Sequence, residues 1–328
     1  MNTRRVSFWV GALLILVLAL LPLYAHWASE PFALTFMARV LVFALAATSL
    51  NLILGFGGMV SFGHALYLGL GAYSVGLLSS HGISSGWAHL GLTLAACAVV
   101  SFLTGLISLR TTGIAFIMIT LAFCQMFYFL FVSLKQYGGD DGLSISDRSQ
   151  FGPLDLGSPV ALYLLTLALV LAALLVTQRM VHARFGMVLN GCRINERRMK
   201  ALGFETTRYK LTAYVASSML CGVAGLLYAN LTGFTSPAYL AWTLSGELIV
   251  MVVLGGMATV MGPLVGAVML LISEEVLKAF TEHWMIILGP LIVLVVLTAK
   301  RGLWGYLLLW DLARERRASL WSDEGDKP

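Results

Sequence analysis

Between Val40 and Leu109 the chain has no Lys, Arg, Asp or Glu, seventy consecutive residues without a formal charge. A water-soluble domain of that size needs polar cover, so the absence excludes one and points to lipid as solvent. An apolar helix crosses the hydrocarbon core in about 20 residues, which leaves room here for three crossings. Charge is scarce elsewhere too, at 11% of residues against 59% hydrophobic, far from globular averages. Further charge-free runs are Thr111–Leu134, Leu156–Gln178, Leu211–Gly246, Leu248–Ser273 and Trp284–Ala299. Other absences narrow the function. There is no GxxxxGK[ST] and no Gly-Lys pair, so the chain is not itself a P-loop ATPase, and there is no HExxH. Cys97, Cys124, Cys192 and Cys221 show no CxxC or metal spacing, and Asp140-Asp141 lacks a second acidic cluster. No metal site and no cofactor are expected. The net charge of +5 does not signal nucleic acid, because the basic residues gather at the borders of apolar runs.

What is present reads as helix. Backbone groups in lipid must be satisfied internally, and the Leu-, Ala- and Gly-rich runs lack the alternation of a β-barrel. The expected fold is all-α, a polytopic integral membrane protein of about ten transmembrane helices. The spans fall at roughly 8–25, 37–55, 61–80, 88–109, 112–134, 158–178, 209–231, 244–261, 263–281 and 284–300. Arg4-Arg5 and the apolar run from Phe8 to Leu23 resemble a signal peptide, but no small-x-small site stands near Tyr24-Ala25-His26. The segment is read as an uncleaved first helix. Residues 1–310 form the membrane domain and 311–328 a charged tail. Trp9, Trp27, Trp87, Trp242, Trp284 and Trp304 fall at proposed span ends, where interface anchoring accounts for them.

Loop 179–210 carries eight Lys and Arg against Glu196 and Glu205, so it is placed in the cytoplasm; loop 135–157, with four Asp, is placed outside. Ten spans then put both termini in the cytoplasm. Glu247, Glu274, Glu275 and Glu282 are expected toward the external side.

An internal echo connects the two halves. Leu54-Gly55-Phe56-Gly57-Gly58-Met59 is similar to Val252-Val253-Leu254-Gly255-Gly256-Met257, and each precedes a restarting helix at Gly63-His64 or Gly262-Pro263. Gly-interrupted apolar helices in both halves point to a transport pathway. Backbone groups freed at depth are tolerated only against protein or a water-filled cavity. The residues placed along that pathway are Asn51, Gly57, Gly58, Ser61, His64, Gly255, Gly256 and Thr259. Two of them also have plain structural readings, His64 as a hydrogen-bonded packing group and Asn51 as an interhelical bond.

The stretch from Ser49 to Ala65, completed by Gly69-Leu70-Gly71-Ala72-Tyr73, resembles the permease subunits of branched-chain amino acid ABC importers, the LivM-like type. So do Thr120-Leu121-Ala122-Phe123, Gly138-Gly139-Asp140-Asp141-Gly142-Leu143, Arg184-Phe185-Gly186, Gly222 through Ala229, and Gly255 through Ala267. The resemblance covers about residues 37–308. It implies a bacterial inner-membrane subunit forming half of a pathway for branched-chain or other hydrophobic amino acids. It implies as partners a homologous second permease, two P-loop ATPase subunits that use the ATP, and an external solute-binding protein. Urea or short-chain amides are alternative solutes, and an ion-coupled secondary transporter is the alternative of another class. The coupling element toward the ATPase is expected in loop 179–210, at Arg193, Asn195, Glu196, Arg197, Lys200, Ala201 and Gly203. Arg193, Arg197 and Lys200 recur there at helical spacing, and Gly203 can end the helix. Glu196 is followed by Arg197-Arg198-Met199 where the family often has two alanines. The bland reading of these arginines is topology or contact with anionic lipid.

Overall fold

The structure, a computed structural model, describes residues 6–28, 31–145, 147–152, 154–298 and 302–311. Ten apolar helices appear among them: α1 Val6–Ala28, α2 Pro31–Asn51, α3 His64–Ser80, α4 Gly86–Ser108, α5 Ile114–Ser133, α6 Pro159–His182, α8 Thr206–Thr232, α9 Trp242–Gly255, α10 Gly262–Phe280 and α11 Trp284–Thr298. The charged helix α7, Arg184–Ala201, lies between α6 and α8. Among the described residues six helices are long and apolar enough to cross a membrane, namely α1, α2 with the turn that follows it, α4, α5, α6 and α8. The expected tail at 311–328 lies outside the described residues apart from Asp311.

Helix α2 and the first thirteen residues of α3 are almost wholly buried. They pack against α8, α6, α9 and α10, while α1, α4 and α5 turn large apolar side chains outward. Buried hydroxyls inside these helices bond their own backbone one turn back, as Thr48 does to Ala44, Ser74 to Leu70 and Thr166 to Leu162. That removes the penalty of a polar group in an apolar interior. Contact between α3 and α8 is backbone to backbone. A Cβ on Gly225 would fall on the Leu68 carbonyl, and one on Gly71 on the Gly222 carbonyl. Small residues of this kind let membrane helices approach closely.

The segment between α5 and α6 holds short strands. β1, Leu143–Ser144, pairs antiparallel with β4, Phe234–Thr235, and β2, Gln150–Phe151, with β3, Leu154–Asp155. The turn Gly82-Ile83-Ser84-Ser85-Gly86 has a hydrolase-like G-x-S-x-G spelling, yet it joins two helices. The nearby His89 bonds Ser149 and the Ile83 carbonyl.

Helix α9 departs from expectation. The chain leaves β4 and descends along α3, Thr235 lying at Gly76 and Leu240 at Gly69. Ser245 then accepts the Ala65 N–H at 2.8 Å, and the Phe62 and Trp242 rings stand 6.3 Å apart. Thus α9 starts beside the first turn of α3, about 24 Å along that helix from its other end. Trp242 and Glu247 thus stand near the His64 end of α3, not near its Ser80 end, where the span 244–261 is expected to begin. Trp304 is buried and also departs from the anchoring expectation. The last described helix, 302–311, returns to the start of the chain, where Asp311 accepts the Val6 and Ser7 N–H groups at 2.9 and 2.8 Å.

Candidate functional site

The two glycine-rich breaks meet. In the first, α2 loosens into a π-helical turn, Leu52–Phe56, and the Met59 N–H reaches back to the Ile53 carbonyl at 2.9 Å. In the second, α9 ends at Gly255, Gly256 takes φ +123°, and α10 starts at Gly262. Ala258 follows at φ +60°, the only positive-φ non-glycine among the described residues. The buried Asn51 carboxamide joins the breaks. Its Nδ2 donates to the Thr259 carbonyl at 2.8 Å and its Oδ1 accepts the Ala258 N–H at 3.1 Å. Gly55 makes room for this clamp, since a Cβ there would overlap Asn51 Oδ1 and stand 2.6 Å from the Ala258 nitrogen. Thr259 finishes the second break, donating to the Gly256 carbonyl at 2.7 Å and accepting the Gly262 N–H at 3.1 Å.

Helix α7 lies against the first break. It is two helical pieces, because Asn195 has extended backbone angles (φ −157°, ψ 96°) and its Oδ1 accepts the Arg198 N–H at 3.0 Å. Asn195 is thus the N-cap of the second piece. The kink separates Arg193 from Arg197 and Lys200, which therefore do not share one face. Arg193 Nη1 donates to the Gly55 carbonyl at 2.5 Å. A Cβ on Gly58, at φ +68°, would stand 2.8 Å from Arg193 Cγ. Glu196 is also turned inward, accepting from Lys210 at 2.5 Å, Lys200 at 3.0 Å and Thr206 at 3.2 Å. Burial pushes its carboxyl up, but the Lys210 and Lys200 hydrogen bonds and charges outweigh that and hold it below the usual carboxylate range. Gly203, at φ +87°, follows the end of the helix. A cavity of about 200 Å³ lies between Gly57-Gly58, Thr112, Phe116, Arg193 and Lys210. The outer side of α7 is open, with Ile194 78% and Leu202 66% exposed and Arg197, Arg198 and Ala201 also exposed.

Of the eight residues placed on the pathway, Gly58 is exposed and Thr259 partly so; the other six are buried within the chain. His64 Nε2 meets Ser217 Oγ at 2.8 Å, and Ser217 donates to the Ser49 carbonyl at 2.5 Å. Ser61 Oγ accepts the Gly63 N–H at 3.2 Å. His64 stands edge-on to Tyr67 and Tyr214, which are bonded to each other, Tyr67 also meeting Thr104.

Sequence reasoning missed Arg39. It stands inside α2, eight residues past Pro31, 4.0 Å from Glu274 and 5.8 Å over the Phe43 ring. Its signal was available: it is the last charge before the long neutral run, and it sits too deep in a helix to be a border residue. Glu247 belongs to the same neighbourhood, within electrostatic reach of Glu274, Arg39 and Lys278.

Comparison with known proteins gives a consistent answer. The family described as branched-chain amino acid transport system / permease component matches residues 32–296. The high-affinity branched-chain amino acid transport system permease protein LivM of Salmonella typhimurium is 29% identical, over 80% of this chain and 68% of its own length. LivM of Escherichia coli K12 is 28% identical, over 92% of this chain and 76% of that protein. LivH of Escherichia coli K12 is 22% identical, over 80% of this chain and 91% of that protein.

Proposed function

The chain belongs to the branched-chain amino acid transport permease family, and on that premise we propose that it forms half of an importer pathway for branched-chain or other hydrophobic amino acids. It is a multi-pass membrane permease subunit of an ABC importer and not an enzyme. Such importers work with a second permease, ATPase subunits and a binding protein. In this reading the second permease is a homologue of this chain, two P-loop ATPases dock under α7, and the binding protein docks on the opposite face. The membrane is the bacterial inner membrane, with both termini cytoplasmic. The bond from Asp311 to Val6 and Ser7, which brings the two described ends to one face, supports that topology.

One observation carries the mechanism: Arg193 and Asn51 join α7 to both breaks in series. ATPase closure moves α7 through its exposed residues Ile194, Arg197 and Leu202. Arg193 passes the displacement to the Gly55–Gly58 turn, and Asn51 passes it to Ala258-Thr259 at the junction of α9 and α10. Both breaks then shift together and open the pathway to one side or the other. The decisive experiment is uptake by proteoliposomes holding the complete importer, with labelled leucine, isoleucine, valine, urea and short amides. ATP-dependent leucine uptake supports the reading. Urea or amide uptake alone reassigns the solute, and uptake driven by an ion gradient without ATP overturns the class.

A further inference from the structure

We propose that helix 302–311 is a strap that positions the second break, with Asp311 as the residue that anchors it. Its role in transport rests on the reading above, in which both breaks shift as the pathway opens. Gly302 begins the strap at φ +69° and lies directly on the break. A Cβ on it would stand 2.3 Å from Gly256 Cα, 2.4 Å from Gly256 N and 2.8 Å from the Gly255 carbonyl carbon. The contact is backbone against backbone, glycine to glycine. The break is therefore held at two points, by Asn51 at Ala258 and Thr259 and by Gly302 at Gly255 and Gly256.

The far end of the strap is fastened to α1. Asp311 Oδ1 accepts the Val6 N–H at 2.9 Å and Oδ2 the Ser7 N–H at 2.8 Å. Each carboxylate oxygen thus takes one of the amides left open at the start of a helix, and its charge suits the positive end of that helix. Between the two ends, strap, α1 and break meet at one place. A Cβ on Gly11 of α1 would stand 3.2 Å from Cη2 of the buried Trp304 and 3.7 Å from Cε of Met261, the residue that leads into α10. Ser7, Gly11 and Leu18 are the buried face of α1, whereas Trp9, Leu13, Leu16 and Leu20 are exposed. Helix α1 is itself pinned to α6, since the Tyr163 hydroxyl donates to the Leu18 carbonyl at 2.6 Å. It is a fixed support, and ten helical residues carry that support over about 14 Å to the break. Ala258, at φ +60°, sits two residues from the strapped Gly256. A left-handed residue with a Cβ persists only where its surroundings over-determine it, and the strap supplies the restraint that Asn51 does not.

The test is hydrogen–deuterium exchange of the complete importer in lipid nanodiscs, for wild type, Asp311→Ala and Asp311→Asn. Three bonded amides report on the break: Gly256 to the Val252 carbonyl, Ala258 to Asn51, and Gly262 to Thr259. In Asp311→Ala the segment 255–262 should exchange about tenfold faster, the factor given by one lost hydrogen bond to a charged group. Asp311→Asn keeps one acceptor oxygen and should fall between. In proteoliposomes the same variants should consume at least about threefold more ATP per leucine carried, because a loosened break no longer follows the ATPase cycle. Faster exchange confined to residues 6–11 would make Asp311 a plain helix cap and overturn the strap. So would wild-type exchange at 255–262 together with an unchanged ATP-to-leucine ratio. If Asp311→Ala fails to assemble, Asp311→Asn and Gly11→Ala decide through the same segment; the added methyl group of Gly11→Ala displaces the Trp304 ring slightly and should also speed exchange at 255–262. Failure of the underlying reading looks different: wild-type importer would then carry no leucine, while exchange at 255–262, which needs no solute, still reads the strap.

Discussion

Replacing Asn51 with Leu keeps the approximate volume of the side chain and deletes both bonds that tie the breaks together. The Ala258 N–H and the Thr259 carbonyl then lose their partner, each worth about 1–3 kcal/mol when left unsatisfied in an interior. Both residues are only partly buried, so the lower half of that range applies, about 2–4 kcal/mol in total. Ala258 also loses the group that pins its left-handed backbone, a conformation that costs about 1–2 kcal/mol for a residue with a Cβ. The expected outcome is an importer that inserts and assembles but unfolds at lower temperature in detergent, followed through its tryptophans, and that loses most uptake. Gly55→Ala offers an independent route to the same defect, because the new methyl group evicts the Asn51 amide from its place. If both act on one clamp, the double variant is no worse than the more severe single one, a coupling that two independent sites would not show. Wild-type stability and uptake in Asn51→Leu would refute the reasoning and leave helix packing alone to hold the breaks. Additive losses in the double variant would refute it as well.

Other outcomes follow from the same geometry. Arg193→Ala should keep the ATPases bound on co-purification and keep hydrolysis, yet lose uptake, whereas Ile194→Asp and Leu202→Asp should lose the ATPases themselves. Retention of the ATPases by those two variants would remove α7 as the docking site. Gly225→Ala and Gly71→Ala should destabilise by about 1–3 kcal/mol or more through overpacking of α3 against α8, read as reduced yield and a lower melting temperature. The Glu196 carboxyl is held below its ordinary value of about 4.3, so its contribution to stability is present above that pH and is lost as pH falls through the folded-state value. Glu196→Gln should therefore be less stable than wild type at pH 7 and converge with it in acid, measured by thermal unfolding across pH. The buried Cys97, Cys124 and Cys221 should resist thiol reagents in the native protein and react after denaturation, counted by mass spectrometry.

Much of the fold was legible because lipid allows few solutions. The missing charges forced helices, and the glycines at 55–58 and 255–256 marked where helices stop. The echo between these segments now has a spatial meaning, since the two are bonded to each other through Asn51. The bonds themselves were not legible, because Asn51 and Thr259 are 208 residues apart. The direction of Arg193 was hidden for another reason. Helical spacing grouped it with Arg197 and Lys200, and only the kink at Asn195 separates them. Trp242 opens a helix that begins at the level of α3's first turn, a position set by tertiary contacts that one stretch of sequence does not show. Arg39 was passed over as the edge of a neutral run, when its position inside α2 was the useful fact.

The bond between Asp311 and the first turn of α1 sets an order of events in synthesis. Val6 and Ser7 emerge first, yet the carboxylate that receives their N–H groups lies about 305 residues later. At translation rates of about 5–20 residues per second, the start of α1 waits roughly 15–60 s for its partner. During that interval the two amide groups are without that carboxylate. Closure of the ring therefore reports that the ribosome has delivered the last described helix. A chain that stops short of Asp311 lacks the carboxylate that receives the Val6 and Ser7 N–H groups.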